Sequence, residues 1–136
     1  MKTILLVEDD RKLTLAVGVR LKSMGYEVVT ALDAVSAVAQ ARKNSPDIVL
    51  LDINLPGGDG FVVANRLQSL MQTSATPIIF ITASKQYGLK ERAMEMGASA
   101  FLEKPFDATQ LADAIESALH SAMPFGSENV SAPDLV

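Results

Sequence analysis

Three short runs of the sequence are entirely apolar, and each of them ends abruptly at a polar residue. The runs and the residues that end them are 4–7 with Glu8, 48–51 with Asp52 and 78–81 with Thr82. Apolar runs of this length, bounded by turn residues, are typical of strands that are buried on both faces, as in parallel sheets. Because neighbouring parallel strands need long crossover connections, this feature constrains the fold more than any other.

The segments between these runs carry apolar residues at helical spacing, for example Leu13, Val17 and Leu21 in the first of them. Two weaker strands are predicted at 26–30, where the chain is β-branched, and at 98–103. The sequence therefore predicts five strands that alternate with five helices. Such alternation indicates a doubly wound α/β fold in three layers, with right-handed crossovers and helices on both faces of a parallel sheet.

The sequence specifies some of these helices better than others. Asp33 is placed to cap the second helix, and Asp107 with Gln110 resembles a capping box at the start of the fifth. The fourth helix is expected to be short and poorly anchored. The side chains expected to face the core are Val35, Val38, Ala39 and the stem of Arg42 in the second helix, Phe61, Ala64, Leu67, Leu70 and Met71 in the third, and Leu89, Ala93, Met94 and Met96 in the fourth.

The length of 136 residues suits one domain, which we expect at 1–122, followed by a disordered tail or linker stub at 123–136, where periodicity is lost. The chain has no cysteine, and no apolar run approaches the ~20 residues of a membrane helix. We therefore expect a cytoplasmic protein that does not associate with a membrane. A net charge of −4 without any Lys/Arg stripe argues against direct nucleic-acid binding by this chain.

Polar residues follow four of the predicted strands at the points where those strands stop. They are Glu8 with Asp9, Asp52, Thr82 and Lys104. Parallel strands bring their carboxyl ends to one edge of the sheet, where ligands bind in open α/β folds. Two carboxylates 4 Å apart repel by about 4 kcal/mol at an effective dielectric of about 20, so positive charge must share this site. Lys104 supplies one charge, and a ligand set of oxygen atoms without His or Cys favours Mg²⁺ as a second cation.

A carboxylate beside Mg²⁺, a lysine and a hydroxyl group can accept a phosphoryl group, because aspartate is a competent covalent nucleophile. In this interpretation Asp52 attacks, while Asp9, Asp52 and the backbone carbonyl of Asn54 hold the metal. Lys104 and Thr82 bind the phosphoryl oxygens, whose charge must be neutralised. No general base is needed, since the nucleophile is already ionised.

Four stretches around these strand ends stand out, namely residues 4–10, 51–56, 81–83 and 103–106. In their order and spacing they resemble the response regulator receiver domain of bacterial two-component signalling, and the resemblance covers residues 2 to about 121. It implies a flavodoxin-like sheet with strand order 2-1-3-4-5. It also implies that Asp52 is phosphorylated by the phosphohistidine of a sensor histidine kinase or phosphotransfer protein, and that the Lys104–Pro105 bond is cis.

The same resemblance implies further roles within the site. Glu8 would help to place the metal through a water molecule, and Mn²⁺ could substitute for Mg²⁺. Thr82 and Phe101 would be switch residues, because the hydroxyl group moves onto the phosphoryl group and the aromatic ring follows it inward. Residues 90–118 would then change their affinity for a downstream effector or for a second copy of the domain.

Two other classes of function remain open from the sequence. A phosphatase of the haloacid dehalogenase type also uses a strand-end aspartate with Mg²⁺. That class has Asp-x-Asp at its nucleophile and carries a cap domain, whereas this sequence has Asn54 at the second position and little room for a cap. A receiver that is never phosphorylated and acts as a constitutive scaffold is the third class, and the intact set of site residues weighs against it.

Overall fold

The structure is a computed structural model that describes residues 1–121. Strands and helices alternate along this part of the chain, as predicted. The elements are β1 (Thr3–Val7), α1 (Arg11–Ser23), β2 (Glu27–Ala31), α2 (Ala34–Asn44), β3 (Ile48–Asp52), α3 (Gly60–Ser69), β4 (Ile78–Thr82), α4 (Leu89–Glu95), β5 (Ala100–Glu103) and α5 (Ala108–Ser121). The tail predicted at 123–136 lies outside the described residues. None of the helices within 1–121 is long and apolar enough to cross a membrane.

The five strands form one parallel sheet in the order β2-β1-β3-β4-β5, which confirms the expected topology. Every residue of β3 and β4 is buried, as are the last four residues of β1. These three strands occupy the middle of the sheet, and they are the ones that contain the apolar runs. The edge strands β2 and β5 are only partly buried, which explains their weaker signal in the sequence.

Helices cover the two faces of the sheet unequally. Alternate residues of each central strand point to opposite faces, so Leu5 and Leu51 belong to one core cluster while Leu6 and Leu50 belong to the other. Helices α2, α3 and α4 pack on the first face, and α1 and α5 pack on the second. The result is a three-layer domain in which loops leave the carboxyl edge of the sheet towards both sides.

The predicted buried face of α2 is wrong. Val35 is 73% exposed, and Ala39 and Arg42 are exposed as well. The buried residues are instead the three alanines Ala34, Ala37 and Ala41, with Val38 partly buried. Asp33 caps the helix as predicted, by accepting a hydrogen bond from Ser36 N at 2.7 Å. The prediction assumed that the larger apolar side chains face the core, whereas the helix packs against the sheet through its small residues.

The predicted end of α3 is also wrong. The helix stops at Ser69, Leu70 has extended backbone angles, and Met71 is 95% exposed. The buried Thr73 hydroxyl donates to the carbonyl oxygen of Leu67 at 2.6 Å and so caps the last turn. In α4, Leu89 and Ala93 are buried as expected, whereas Met94 is 45% exposed.

The predicted capping box of α5 is present in full. Gln110 N donates to Asp107 Oδ1 at 2.8 Å, and Asp107 N donates to Gln110 Oε1 at 2.9 Å. These two bonds satisfy backbone donors that the first turn of a helix leaves free. The start of α5 is therefore fixed locally, only a few residues beyond Lys104.

Gly60 closes the loop that joins β3 to α3. Its N–H donates to the carbonyl oxygen of Ile53 at 2.7 Å. A Cβ atom on Gly60 would lie 2.4 Å from the carbonyl oxygen of Asp52 and 2.9 Å from Cα of Ile53. Because both of these neighbours are backbone atoms, the position has no room for a side chain, and α3 begins directly against the end of β3.

We expect Gly60→Ala to lower the free energy of unfolding by about 1–3 kcal/mol, because the added methyl group displaces backbone. Gly18→Ala in α1 is the matched control, since a Cβ there meets nothing within 4 Å. It should leave stability unchanged or raise it by up to about 1 kcal/mol, because alanine favours the helix. Urea unfolding midpoints measure both changes, and equal midpoints would contradict the steric argument.

Candidate functional site

The carboxyl ends of the central strands bring together the polar residues that the sequence singled out. Glu8 follows β1, Asp52 and Thr82 end β3 and β4, and Lys104 follows β5. Glu8, Asp52 and Thr82 are buried at the end of an otherwise apolar strand region. Buried polar groups need hydrogen-bond partners within the protein, and these partners hold the three side chains in defined positions.

A single ammonium group joins two of the carboxylates. Lys104 Nζ donates to Glu8 Oε1 and, at 3.2 Å, to Asp52 Oδ2. The side chain of Lys104 is 17% exposed, and those of Glu8 and Asp52 are 1% and 5% exposed. The lysine therefore points into the site and not into solvent.

A third carboxylate completes the cluster. Glu8, Asp9 and Asp52 each offer an oxygen atom, and these three oxygen atoms lie within 4.8 Å of one another. Both oxygens of Glu8 already accept hydrogen bonds, one from Lys104 and the other from Asp10 N at 3.1 Å. Both oxygens of Asp52 also accept hydrogen bonds, from Lys104 and from Asn54 N, whereas Asp9 is exposed and is the acid most open to a cation from solvent.

This donor set fits Mg²⁺. One ammonium group does not balance three close carboxylates, which repel one another strongly in a partly buried site. All of the available ligand atoms are oxygens, and Mg²⁺ prefers one or two carboxylates together with several waters. The exposed position of Asp9 leaves one side of the cluster open to such waters.

The pKa values of the buried pair reflect a balance between burial and charge. Burial raises the pKa of Glu8 above its ordinary value, and the hydrogen bond from Lys104 opposes this only in part. Burial alone would lower the pKa of Lys104, but its hydrogen bond to Glu8 and the nearby charge of Asp52 outweigh burial and raise it. The lysine therefore stays in its charged form, which the neighbouring carboxylates stabilise.

The two predicted switch residues lie on β4 and β5. Thr82 Oγ1 accepts a hydrogen bond from Ser84 N at 3.0 Å, which leaves the hydroxyl hydrogen available to another acceptor. Phe101 is partly buried and packs against the cluster that contains α3 and α4. The Lys104–Pro105 peptide bond is cis, as expected.

Two residues at the site carried no clear signal in the sequence. The hydroxyl group of Thr14 donates to the carbonyl oxygen of Glu8 at 3.2 Å and ties α1 to the acidic loop. Gly60, whose missing side chain lets α3 begin against the backbone of Asp52, is also part of the support of the site. Asn54 lies just beyond, is exposed, and donates its N–H to Asp52 Oδ1 at 3.1 Å.

The fold and site together define a flavodoxin-like α/β domain with a lysine-bridged acidic cluster at the carboxyl edge of its sheet. The sequence matches the response regulator receiver domain over residues 4–116. The chain belongs to that family, whose members take part in two-component signalling and interact with histidine kinases and effectors. Receiver domains are in general signalling modules and not catalysts.

Individual relatives agree with this assignment. The chain is 40% identical over 108 residues to the response regulator PleD of Caulobacter vibrioides, a match that covers 79% of this chain and 24% of PleD. The chemotaxis protein CheY4 of Vibrio cholerae superposes with a TM-score of 0.81 at 31% identity, over 88% of this chain and 99% of that one. The receiver domain of the sensor histidine kinase PA1611 of Pseudomonas aeruginosa gives 0.80 at 29% identity, over 88% and 98%, and its structure has a magnesium ion coordinated in the active-site cleft.

We expect Lys104→Met to lower the free energy of unfolding by about 1–3 kcal/mol at neutral pH, because it leaves buried carboxylates without their partner. The pKa of Glu8 is already raised in the folded protein, so ionising this acid lowers stability as the pH rises from the ordinary carboxyl pKa up to the raised one. Removing Lys104 raises this pKa further, so the loss of stability should be larger at pH 7 than at pH 4.

The matched control is Lys85→Met. Lys85 is a 70% exposed lysine whose ion pair with Glu103 spans 3.8 Å. Its removal should cost no more than about 0.5 kcal/mol at either pH. Urea titrations at the two pH values measure the difference, and a loss for Lys104→Met that does not depend on pH would contradict the electrostatic account.

Proposed function

We propose that Asp52 of this receiver domain accepts a phosphoryl group from the phosphohistidine of a sensor histidine kinase or phosphotransfer protein. The observation that carries the proposal is the ammonium group of Lys104, which contacts Glu8 and Asp52 beside the oxygen of Asp9. A site of this kind is rich in negative charge and already contains one of the cations that a phosphoryl group requires.

The transfer needs few groups from the protein. A carboxylate oxygen of Asp52 attacks phosphorus, the bond from phosphorus to the donor imidazole nitrogen breaks, and the electron pair leaves with that nitrogen. Lys104 and the Thr82 hydroxyl group then bind phosphoryl oxygens. Charge neutralisation, and not proton transfer, is the main requirement of such reactions. Asp52 is positioned for this role because its N-terminal neighbours are buried in β3 and its own backbone packs against Gly60.

We propose that Asp9, Asp52 and the carbonyl oxygen of Asn54 bind Mg²⁺, with Glu8 acting through a water molecule and Mn²⁺ able to substitute. When bound, the cation supplies positive charge to the phosphoryl oxygens. The magnesium ion in the PA1611 receiver supports the choice of metal.

Phosphorylation is proposed to act as a switch in the cytoplasm. A phosphoryl group adds about −1.5 to −2 charges and three acceptor oxygens, which attract Lys104 and Thr82. Both residues begin loops that lead to the last two helices. The face formed by residues 90–118, with Phe101 as its aromatic switch, would then change its affinity for an effector or a second copy. Direct binding of nucleic acid by this chain is still not expected.

The two alternatives are less well supported. Asn54 stands where a dehalogenase-type phosphatase has its second aspartate, and the family match favours a signalling domain. Repeated hydrolysis of a small phosphomonoester by the protein would support the phosphatase alternative. The lysine-bridged acids weigh against an unphosphorylated scaffold, and equal partner binding by wild-type and Asp52→Asn proteins would favour it.

Incubation with acetyl phosphate and Mg²⁺ should add the mass of one phosphoryl group to the intact protein, because a small donor can replace the kinase when the acceptor site is complete. The Asp52→Asn variant should gain no mass, and chelation of the metal with EDTA should prevent the gain in the wild type. Intact-mass spectrometry measures all three. The absence of an adduct in the wild type, or its presence in Asp52→Asn, would reject the proposal.

Removing a metal ligand should weaken Mg²⁺ binding selectively. We expect Asp9→Asn to lower the affinity at least about tenfold, since even outer-sphere partners of metals contribute 10–100-fold. Asp10→Asn is the matched control, because Asp10 caps α1 through Lys12 N and Leu13 N and asparagine caps equally well. The chain has no tryptophan, so isothermal titration calorimetry is the suitable measurement. Equal losses in the two variants would indicate a general effect of charge.

A further inference from the structure

Helix α4 is short, and few interactions within the helix stabilise it. It has 7 residues, the fewest of the five helices described within 1–121. Its N-cap residue, Gly88, lies in the left-handed region at φ 87°, and no side chain caps the first turn. Two of its residues, Leu89 and Ala93, are buried. An element with so few contacts lies at the low-stability end of a fold, so interactions from neighbouring elements decide its position.

Two side-chain contacts tie α4 to α3. The guanidinium carbon of Arg92 lies 4.0 Å from the centroid of the Phe61 ring, which is a cation–π contact. The side-chain amide of Gln68 donates to the carbonyl oxygen of Met96 at 2.7 Å. The first contact holds the middle of α4, and the second holds its end. Both partners come from α3, so the placement of α4 depends on the placement of that helix.

The position of Phe61 depends in turn on the end of β3. Phe61 directly follows Gly60, whose missing side chain lets α3 begin against the backbone of Asp52. The Phe61 ring also contacts Phe80 at a centroid distance of 5.0 Å. Phe80 is the residue paired with Phe101 across the β4–β5 ladder. The ring therefore touches a row of aromatic side chains that runs from α3 to the last strand.

We propose that Arg92 and Phe61 form a clamp that holds α4 against α3, and that this clamp sets how readily Asp52 takes up a phosphoryl group. The inference rests on the proposed function, in which the face containing α4 rearranges after phosphorylation. In the structure the clamp is closed while Lys104 contacts the unmodified carboxylate of Asp52. Movement of α4 away from α3 would break the cation–π contact, so the clamp favours the arrangement in which this contact is made.

The clamp can open at small cost. Arg92 is an exposed residue, and within residues 1–121 it takes part in no ion pair. Release of the guanidinium group therefore leaves no buried charge without a partner. The contact is of the kind that shifts an equilibrium between two positions of α4 by a modest factor. Arg92 and Phe61 are thus positioning residues, since neither contacts Asp52.

The first experiment measures the clamp in the unphosphorylated protein by hydrogen–deuterium exchange. Arg92→Gln should increase amide exchange in α4 by about two- to fivefold, the factor expected for an exposed cation–π contact. The matched control is Arg66→Gln, the same change on an exposed arginine of α3 that makes no cation–π contact within residues 1–121. Arg92→Lys keeps a cation over the ring and should stay close to the wild type.

The second experiment measures phosphorylation of the same proteins by acetyl phosphate with Mg²⁺, and the affinity for beryllium fluoride as a phosphoryl mimic. Arg92→Gln should raise the rate and the affinity by about two- to fivefold. Phe61→Leu keeps an apolar side chain without an aromatic face. If the two residues act as a pair, adding Arg92→Gln to Phe61→Leu should change neither quantity further.

The outcomes separate the clamp from the function on which it rests. If the wild-type protein takes up no phosphoryl group, the proposed function and the regulatory role of the clamp both fail, whatever the exchange data show. If phosphorylation occurs but Arg92→Gln behaves like Arg66→Gln in both experiments, the clamp alone is overturned. Effects of Arg92→Gln and Phe61→Leu that simply add would also overturn it, because they would show no coupling between the residues.

Discussion

The ammonium group of Lys104 between Glu8 and Asp52 is the interaction on which the rest of the site depends. Two buried carboxylates at the ends of adjacent strands repel each other, and the domain tolerates them because a cation lies between them. That cation comes from the far end of the chain, after β5, so it reaches the acids only in the complete sheet. The site is therefore complete only when strands from both halves of the sheet are in place.

The sequence predicted most accurately the strands that are buried on both faces, because such strands are apolar throughout. The apolar runs that end at Glu8, Asp52 and Thr82 correspond to strands β1, β3 and β4, and the end of each run identified the edge that carries the site. The strand order did not follow from the runs themselves and came from the resemblance to a known family. The edge strands were located less accurately, because residues that are half exposed have less reason to be apolar.

The predictions for individual helices were wrong where the packing in the fold did not follow the size and polarity of the side chains. In α2 Val35, one of the two valines expected in the core, is 73% exposed, whereas a row of alanines faces the sheet. Helix α3 stops at Ser69, although apolar periodicity would have continued it, and the Thr73 hydroxyl group bonds a carbonyl oxygen of its last turn. The contact between Phe61 and Arg92 joins residues on different helices, so it could not be predicted from a local sequence pattern.

The contrast between the last two helices explains where a charge added at Asp52 would have its effect. Helix α5 begins with a reciprocal capping box and is held along an apolar stripe that includes Leu111 and Ile115, so its position is well determined. Helix α4 lacks a side-chain cap and leans on α3 through the clamp. Because α4 is anchored more weakly than α5, we expect a disturbance that passes through the loops after Thr82 and Lys104 to move α4 first.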